Sequence, residues 1–207
     1  MTKPTPKSWK YITDEEFNDF IEEDDKRVEK SKNRWNTREV KIALSKVILA
    51  LQSRQPWTHF LVKLPGNLPE LENAFLTFDL NGAPLKNVNL EGADLRKVML
   101  FNADLSAANL QYVDFRGAGL CDTNLSNSKL MGANFEGCIM MGTNLESADL
   151  SNAKLADTSM LGANLKGANF SGADLTNALL TGAKTEGAIF DGAILENTYF
   201  GEFAKDE

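Results

Sequence analysis

Large apolar residues recur at every fifth position from Leu80 to Phe200. The column opens Leu80, Leu85, Leu90, Leu95 and holds 17 Leu, 5 Phe, 2 Met and 1 Thr over 25 positions, with no slip of register. Two residues before each lies a column of small residues: 15 Ala, 4 Thr, 3 Val and one each of Phe, Ser and Cys. Two residues after each large position glycine recurs, and this column takes 12 of the chain's 15 glycines, from Gly82 to Gly192. Where it lacks Gly it often holds Asn or Asp, as at Asn102, Asp122, Asn127, Asn152, Asp157, Asn177 and Asn197.

A period of five fits neither a helix nor a flat strand, so the repeat outranks residue propensity. A small and a large apolar residue two apart point to the same side of an extended segment. The next two residues must turn a corner. A type II turn needs positive φ at its second central residue, which Gly supplies without a Cβ clash and Asn or Asp tolerate next best. Each pentapeptide therefore reads as one short extended side and one corner.

With these columns in view, the chain resembles the pentapeptide-repeat family, whose pattern is A-(D/N)-L-x-x. Clear copies are Ala93-Asp94-Leu95, Ala103-Asp104-Leu105, Ala133-Asn134-Phe135, Ala163-Asn164-Leu165 and Ala173-Asp174-Leu175. The resemblance covers residues 78–200 and implies an all-β solenoid, a right-handed quadrilateral β-helix with four pentapeptides per coil. On that basis the 25 repeats make about six coils, a rod of roughly 30 Å at the usual strand spacing.

The pattern changes before residue 78. Residues 1–36 read as an arm followed by a first helix over 14–30, with Thr13 and Glu16 as a capping box and Phe17, Phe20 and Ile21 on one face. The charged run Glu22-Glu23-Asp24-Asp25-Lys26-Arg27 reads as a solvated face rather than a metal site. Residues 37–53 predict a second helix, apolar on more than one face (Val40, Ile42, Leu44, Val47, Ile48, Leu49, Leu51), ended by Pro56. With the apolar, Pro-punctuated stretch 57–77 they form the expected α-helical N-terminal cap, because the first coil of a stack leaves backbone groups to be covered. Residues 201–207 form a short C-terminal tail.

Net charge is −7, divided as +1 over 1–77 and −8 over 78–207. An acidic rod does not hold nucleic acid through phosphates, so no direct nucleic-acid binding is expected. No apolar run reaches membrane-spanning length. The N-terminus lacks the apolar region of a signal peptide. Cys121 falls on an outward position and Cys138 on an inward one, so they do not bridge, which fits a reducing cytoplasm.

No catalytic, cofactor or metal constellation stands out, and the single histidine, His59, lies in the expected cap. The Asn and Asp before the large column are read as corner and ladder residues, with Asn124, Asn144 and Asn164 stacking at 20-residue intervals. The expected function is a non-enzymatic scaffold or protein-interaction module. The alternative, which the family resemblance implies, is an acidic mimic of duplex DNA that binds a type II topoisomerase and protects it from quinolones. Duplex DNA carries one charge per about 1.7 Å, or roughly 18 over such a rod, against the −8 here. Such protectors often bear loops projecting from the coils, whereas this register is unbroken. They also tend to dimerise through a C-terminal helix, which a short tail after Phe200 does not supply.

Four repeats per coil would bring residues 20 apart onto one side. One side then carries Met99, Phe101, Cys121, Ile139, Met141, Leu161, Leu179 and Tyr199 at outward positions, while the other three are mostly polar. A contiguous stripe of this kind marks an interface. Its occupant is left open among the chain's own first helix, a second copy in a homodimer, and another protein.

Overall fold

In the computed structural model the described residues are 78–201. The arm, both expected helices, the cap, His59 and the tail beyond Gly201 lie outside them. Two short strands, β1 (Phe78–Asp79) and β2 (Val98–Met99), pair in parallel with Phe78 against Val98. Above them each side of each coil meets the next through a single parallel bridge, and every bridge joins residues 20 apart, from Pro84↔Asp104 to Leu179↔Tyr199. Four pentapeptides therefore make one coil.

The hydrogen bonds follow the same spacing. The Leu80 N–H donates to Met99 C=O at 2.8 Å, and the Asp104 N–H donates back to Ala83 C=O at 3.0 Å. Repeated side by side, these bonds let neighbouring coils satisfy the backbone that a five-residue period denies to helix or sheet. Pro84, in the first described coil, occupies a position that in later coils donates toward the preceding one; a residue without an N–H suits that edge.

The corners are β-turns. The Ala83 N–H donates to Leu80 C=O at 3.0 Å, and of the two central residues Gly82 alone has positive φ, the type II arrangement. Non-glycine residues take the same conformation, including Lys97, Ala107, Tyr112 and Ser147 with φ between 56° and 59°. No corner from 82 to 197 holds Val, Ile or Thr. The left-handed region thus screens out β-branched residues more strictly than it demands glycine.

The two apolar columns fill the interior. Phe115 and Phe135 stack at 4.9 Å with 7° between ring planes, as do Phe170 and Phe190 at 5.1 Å and 5°. Polar members of the small column are satisfied in place: Thr123 and Thr143 hydroxyls donate to Leu100 and Leu120 C=O, each at 2.7 Å. Cys138 is inward as expected, with its thiol 2.8 Å from Phe115 C=O and pushed up to about 12 by burial. The two cysteines are not bridged to each other. In the last described coil the interior opens, and inward-column Leu195 is 40% exposed.

The expected amide ladder is present. Asn164 Nδ2 donates to Asn144 Oδ1 at 3.1 Å, Asn144 to Asn124 at 3.2 Å, and Asn124 to Asp104 at 3.2 Å. Asp104, whose carboxylate offers only acceptors, ends a ladder whose donors all point toward the first coil. Asn144→Asp removes one donor and sets a carboxylate against the Asn124 carbonyl oxygen. We expect a loss of about 1–2 kcal/mol at pH 7, read as a lower urea midpoint with an unchanged slope.

Candidate protein-interaction face

One side of the coil collects most of the apolar outward residues, although Tyr112, Ile189 and Ile194 are exposed elsewhere on the coil. The bridges run Met99↔Gly119, Gly119↔Ile139, Ile139↔Ser159, Ser159↔Leu179 and Leu179↔Tyr199, so these residues form one file up the rod. Phe101, Cys121, Met141 and Leu161 form the parallel file two residues further on. Its backbone rises by the same 20-residue step: the Asn102 N–H donates to Cys121 C=O at 3.1 Å, the Asp122 N–H to Met141 C=O at 2.9 Å and the Gly142 N–H to Leu161 C=O at 2.9 Å.

Exposure along this face is uneven. Ile139 and Tyr199 are exposed, and Met99, Met141, Leu161 and Leu179 are half-buried. Phe101 and Cys121 are buried, at 8% and 6% exposure, although outward positions are expected to face solvent. Gly119 accounts for the burial of Phe101. A Cβ there would lie 2.5 Å from Phe101 Cε1 and 3.1 Å from Met99 Sδ, so the ring and the thioether occupy the space that a side chain would fill. The sequence carried the signal, because Gly119 is out of the corner column. Asn81 Oδ1 accepts the Phe101 N–H at 2.7 Å and anchors that segment.

The corners flanking the face are polar or bare. Asn102 and Asp122 stand on one, followed by Gly142, Gly162 and Gly182. On the other, Asn197 donates to Asn177 at 3.2 Å and Asn177 to Asp157 at 3.1 Å.

The next side carries ion pairs. Arg96 donates Nε and Nη2 to Asp94 at 2.8 and 2.7 Å, and Arg116 binds Asp114 through Nη2 at 2.7 Å. Arg96 Nε also lies 3.8 Å from Asp114, joining two coils. The hydrogen bond from Arg96 holds the Asp94 carboxyl below its usual range, and that from Arg116 does the same for Asp114. A carboxyl lowered on folding stabilises above its unfolded value near 4, and that contribution is lost as pH falls through the folded value. We therefore expect Asp94→Asn with Asp114→Asn to lower the melting temperature slightly at neutral pH, a small effect because the pairs are partly exposed, and to flatten its fall below about pH 4 by the same amount.

Among the described residues no group of three or more His, Cys, Asp and Glu is placed to hold a metal ion. None of their helices is long and apolar enough to cross a membrane.

The model of the family described as pentapeptide repeats matches residues 79–117, 99–137, 108–146 and 143–182, in 8 copies that together cover just over half of the chain. The chain belongs to the pentapeptide-repeat family. Membership carries the right-handed β-helical solenoid with it.

Among solved structures, a pentapeptide repeat protein of the Arabidopsis thaliana thylakoid lumen is 32% identical over 45% of this chain and 66% of its own, with a TM-score of 0.44. HetL, involved in heterocyst differentiation regulation in the cyanobacterium Nostoc sp. strain PCC 7120, is 26% identical over 58% and 65%, with a TM-score of 0.35. QnrB1, a plasmid-mediated fluoroquinolone resistance protein, is 22% identical over 60% and 85%, with a TM-score of 0.31. This chain thus spans just under two thirds of the first two. No curated protein matches it.

Proposed function

We propose that this pentapeptide-repeat rod is a non-enzymatic protein-interaction module that works through its apolar face. The supporting observation is the register: 20-residue pairing places Met99, Ile139, Leu179 and Tyr199 in one file, beside a second file containing Met141 and Leu161. Apolar side chains collected on one side and flanked by amides, carboxylates and glycines form a contact surface rather than a solvated one. The regular stack supplies stiffness, so the contact costs little ordering of the rod.

Ile139→Glu combined with Met141→Glu tests the proposal by light scattering and thermal melting. We expect the substitution to change the mass, the melting temperature or both. An unchanged value of each would show that the face touches nothing in the isolated protein, and that outcome counts against the reading.

Duplex mimicry is the weaker reading. The residues from 78 to 201 carry 8 Lys/Arg against 14 Asp/Glu, a net −6, and one side of the rod is apolar. Relief of quinolone inhibition in a purified gyrase supercoiling assay would reverse that order.

A further inference from the structure

We infer that residues 37–53 of the same chain, rather than covering the end of the first coil as the sequence alone suggests, occupy the apolar face of the rod in the isolated protein. The inference rests on the reading of that face as a contact surface and names its resident.

Size comes first. From Met99 to Tyr199 the outward file takes five 20-residue steps, or about 24 Å at the usual strand spacing. The two files lie two residues apart, about 7 Å. A strip of that length and width suits one helix, which is about 10 Å across and rises 1.5 Å per residue. It offers a few hundred Å² at most, well short of the roughly 800 Å² per partner of a stable protein pair. A second rod on this face alone is therefore disfavoured.

Residues 37–53 predict a helix of about 25 Å that is apolar on more than one side, so one side can meet the rod. Charge separates them from the other predicted helix. Residues 14–30 carry nine acidic and three basic residues, a net −6, the same sign as the rod. Residues 37–53 carry Arg38, Lys41 and Lys46 against Glu39, a net +2. The acidic segment is repelled by an acidic rod, and the basic one is attracted.

Connectivity agrees. The chain enters the solenoid at Phe78, in β1, which pairs with Val98–Met99 at the base of this same face. The 24 residues from 54 to 77 reach any point along it, and a tether of that length holds the segment at an effective concentration of about millimolar. An external partner must then displace residues 37–53 or bind their outer side.

Hydrogen–deuterium exchange on the full chain, with its mass measured in parallel, tests the inference. In the unsubstituted protein, residues 37–53 are expected to exchange slowly and the chain to be monomeric. Ile139→Glu with Met141→Glu should speed exchange in 37–53 by about tenfold or more, while ladder amides such as Leu145 N–H, bonded to Asn164 C=O, stay protected. Met131→Glu, on another side of the coil, should leave 37–53 unchanged. Should the double substitution also release the ladder amides, Met141→Gln with Leu161→Gln repeats the measurement on an intact rod.

Rapid exchange of 37–53 in the unsubstituted chain, or protection that ignores the face substitutions, overturns the inference. A dimer that these substitutions turn into a monomer also overturns it, but leaves the face as a contact surface. If mass, melting and exchange all stay unchanged, both readings fall.

Discussion

Phe135→Ala is expected to lower stability by about 3–5 kcal/mol, the usual range for emptying a core aromatic site. Phe135 is fully buried, and its ring stacks on Phe115 one coil below. The coils are held at a fixed spacing by backbone bonds on all four sides, so the cavity cannot close without breaking that spacing. The Phe135 N–H, for example, donates to Lys154 C=O at 2.7 Å. The substitution also removes the stacking partner of Phe115, itself worth about 0.5–1.5 kcal/mol. Chemical denaturation monitored by circular dichroism reads the loss. Because each coil contacts only its neighbours, a second, lower transition for part of the rod is an equally clear sign of the defect. A midpoint within error of the unsubstituted protein would contradict the tight interior described above.

Gly142→Val should cost about 2–3 kcal/mol, more than the same change at most corners. Gly142 has φ +64°, and a β-branched residue in the left-handed region costs about 1–2 kcal/mol. A second term is local: a Cβ at Gly142 would run into the Asp122 carboxylate, which leans over it from the coil below. Gly162 has the same φ but nothing within 4 Å of its would-be Cβ. Gly162→Val is therefore the control and should cost only the conformational term, about 1–2 kcal/mol. If both variants melt together, steric contact between stacked corners is not a term in stability. If Gly142→Val melts like the parent, the corner conformation itself is in question.

Much of the fold was legible in the sequence because a repeat multiplies weak signals. One pentapeptide says little, but 25 in-phase repeats specify an inward face, an outward face and a corner. The amide ladder of Asn124, Asn144 and Asn164 followed once the family resemblance supplied four repeats per coil, since a coil of constant length stacks equal positions. The apolar side could be listed for the same reason.

The depth of each outward residue was not legible. Phe101 and Cys121 occupy outward positions and are nonetheless buried, Phe101 because Gly119 leaves room for its ring one coil above. The direction of the ladder was also undetermined, since an amide can donate up or down; Asp104 settles it by having nothing to donate. Nor did the pattern show that Lys97, Ala107 and Tyr112 turn their corners at positive φ as glycine does.

The sequence by itself determined the five-residue period, which residues face inward, and where the chain turns. These depend only on local geometry and on hydrophobic burial summed over many copies. The tertiary structure decided how the coils meet: 20 residues per turn of the solenoid, which side chains lie over a glycine of the next coil, and which apolar residues stay exposed. Contacts between coils depend on the side chain one coil away, and a five-residue pattern repeats without recording that neighbour.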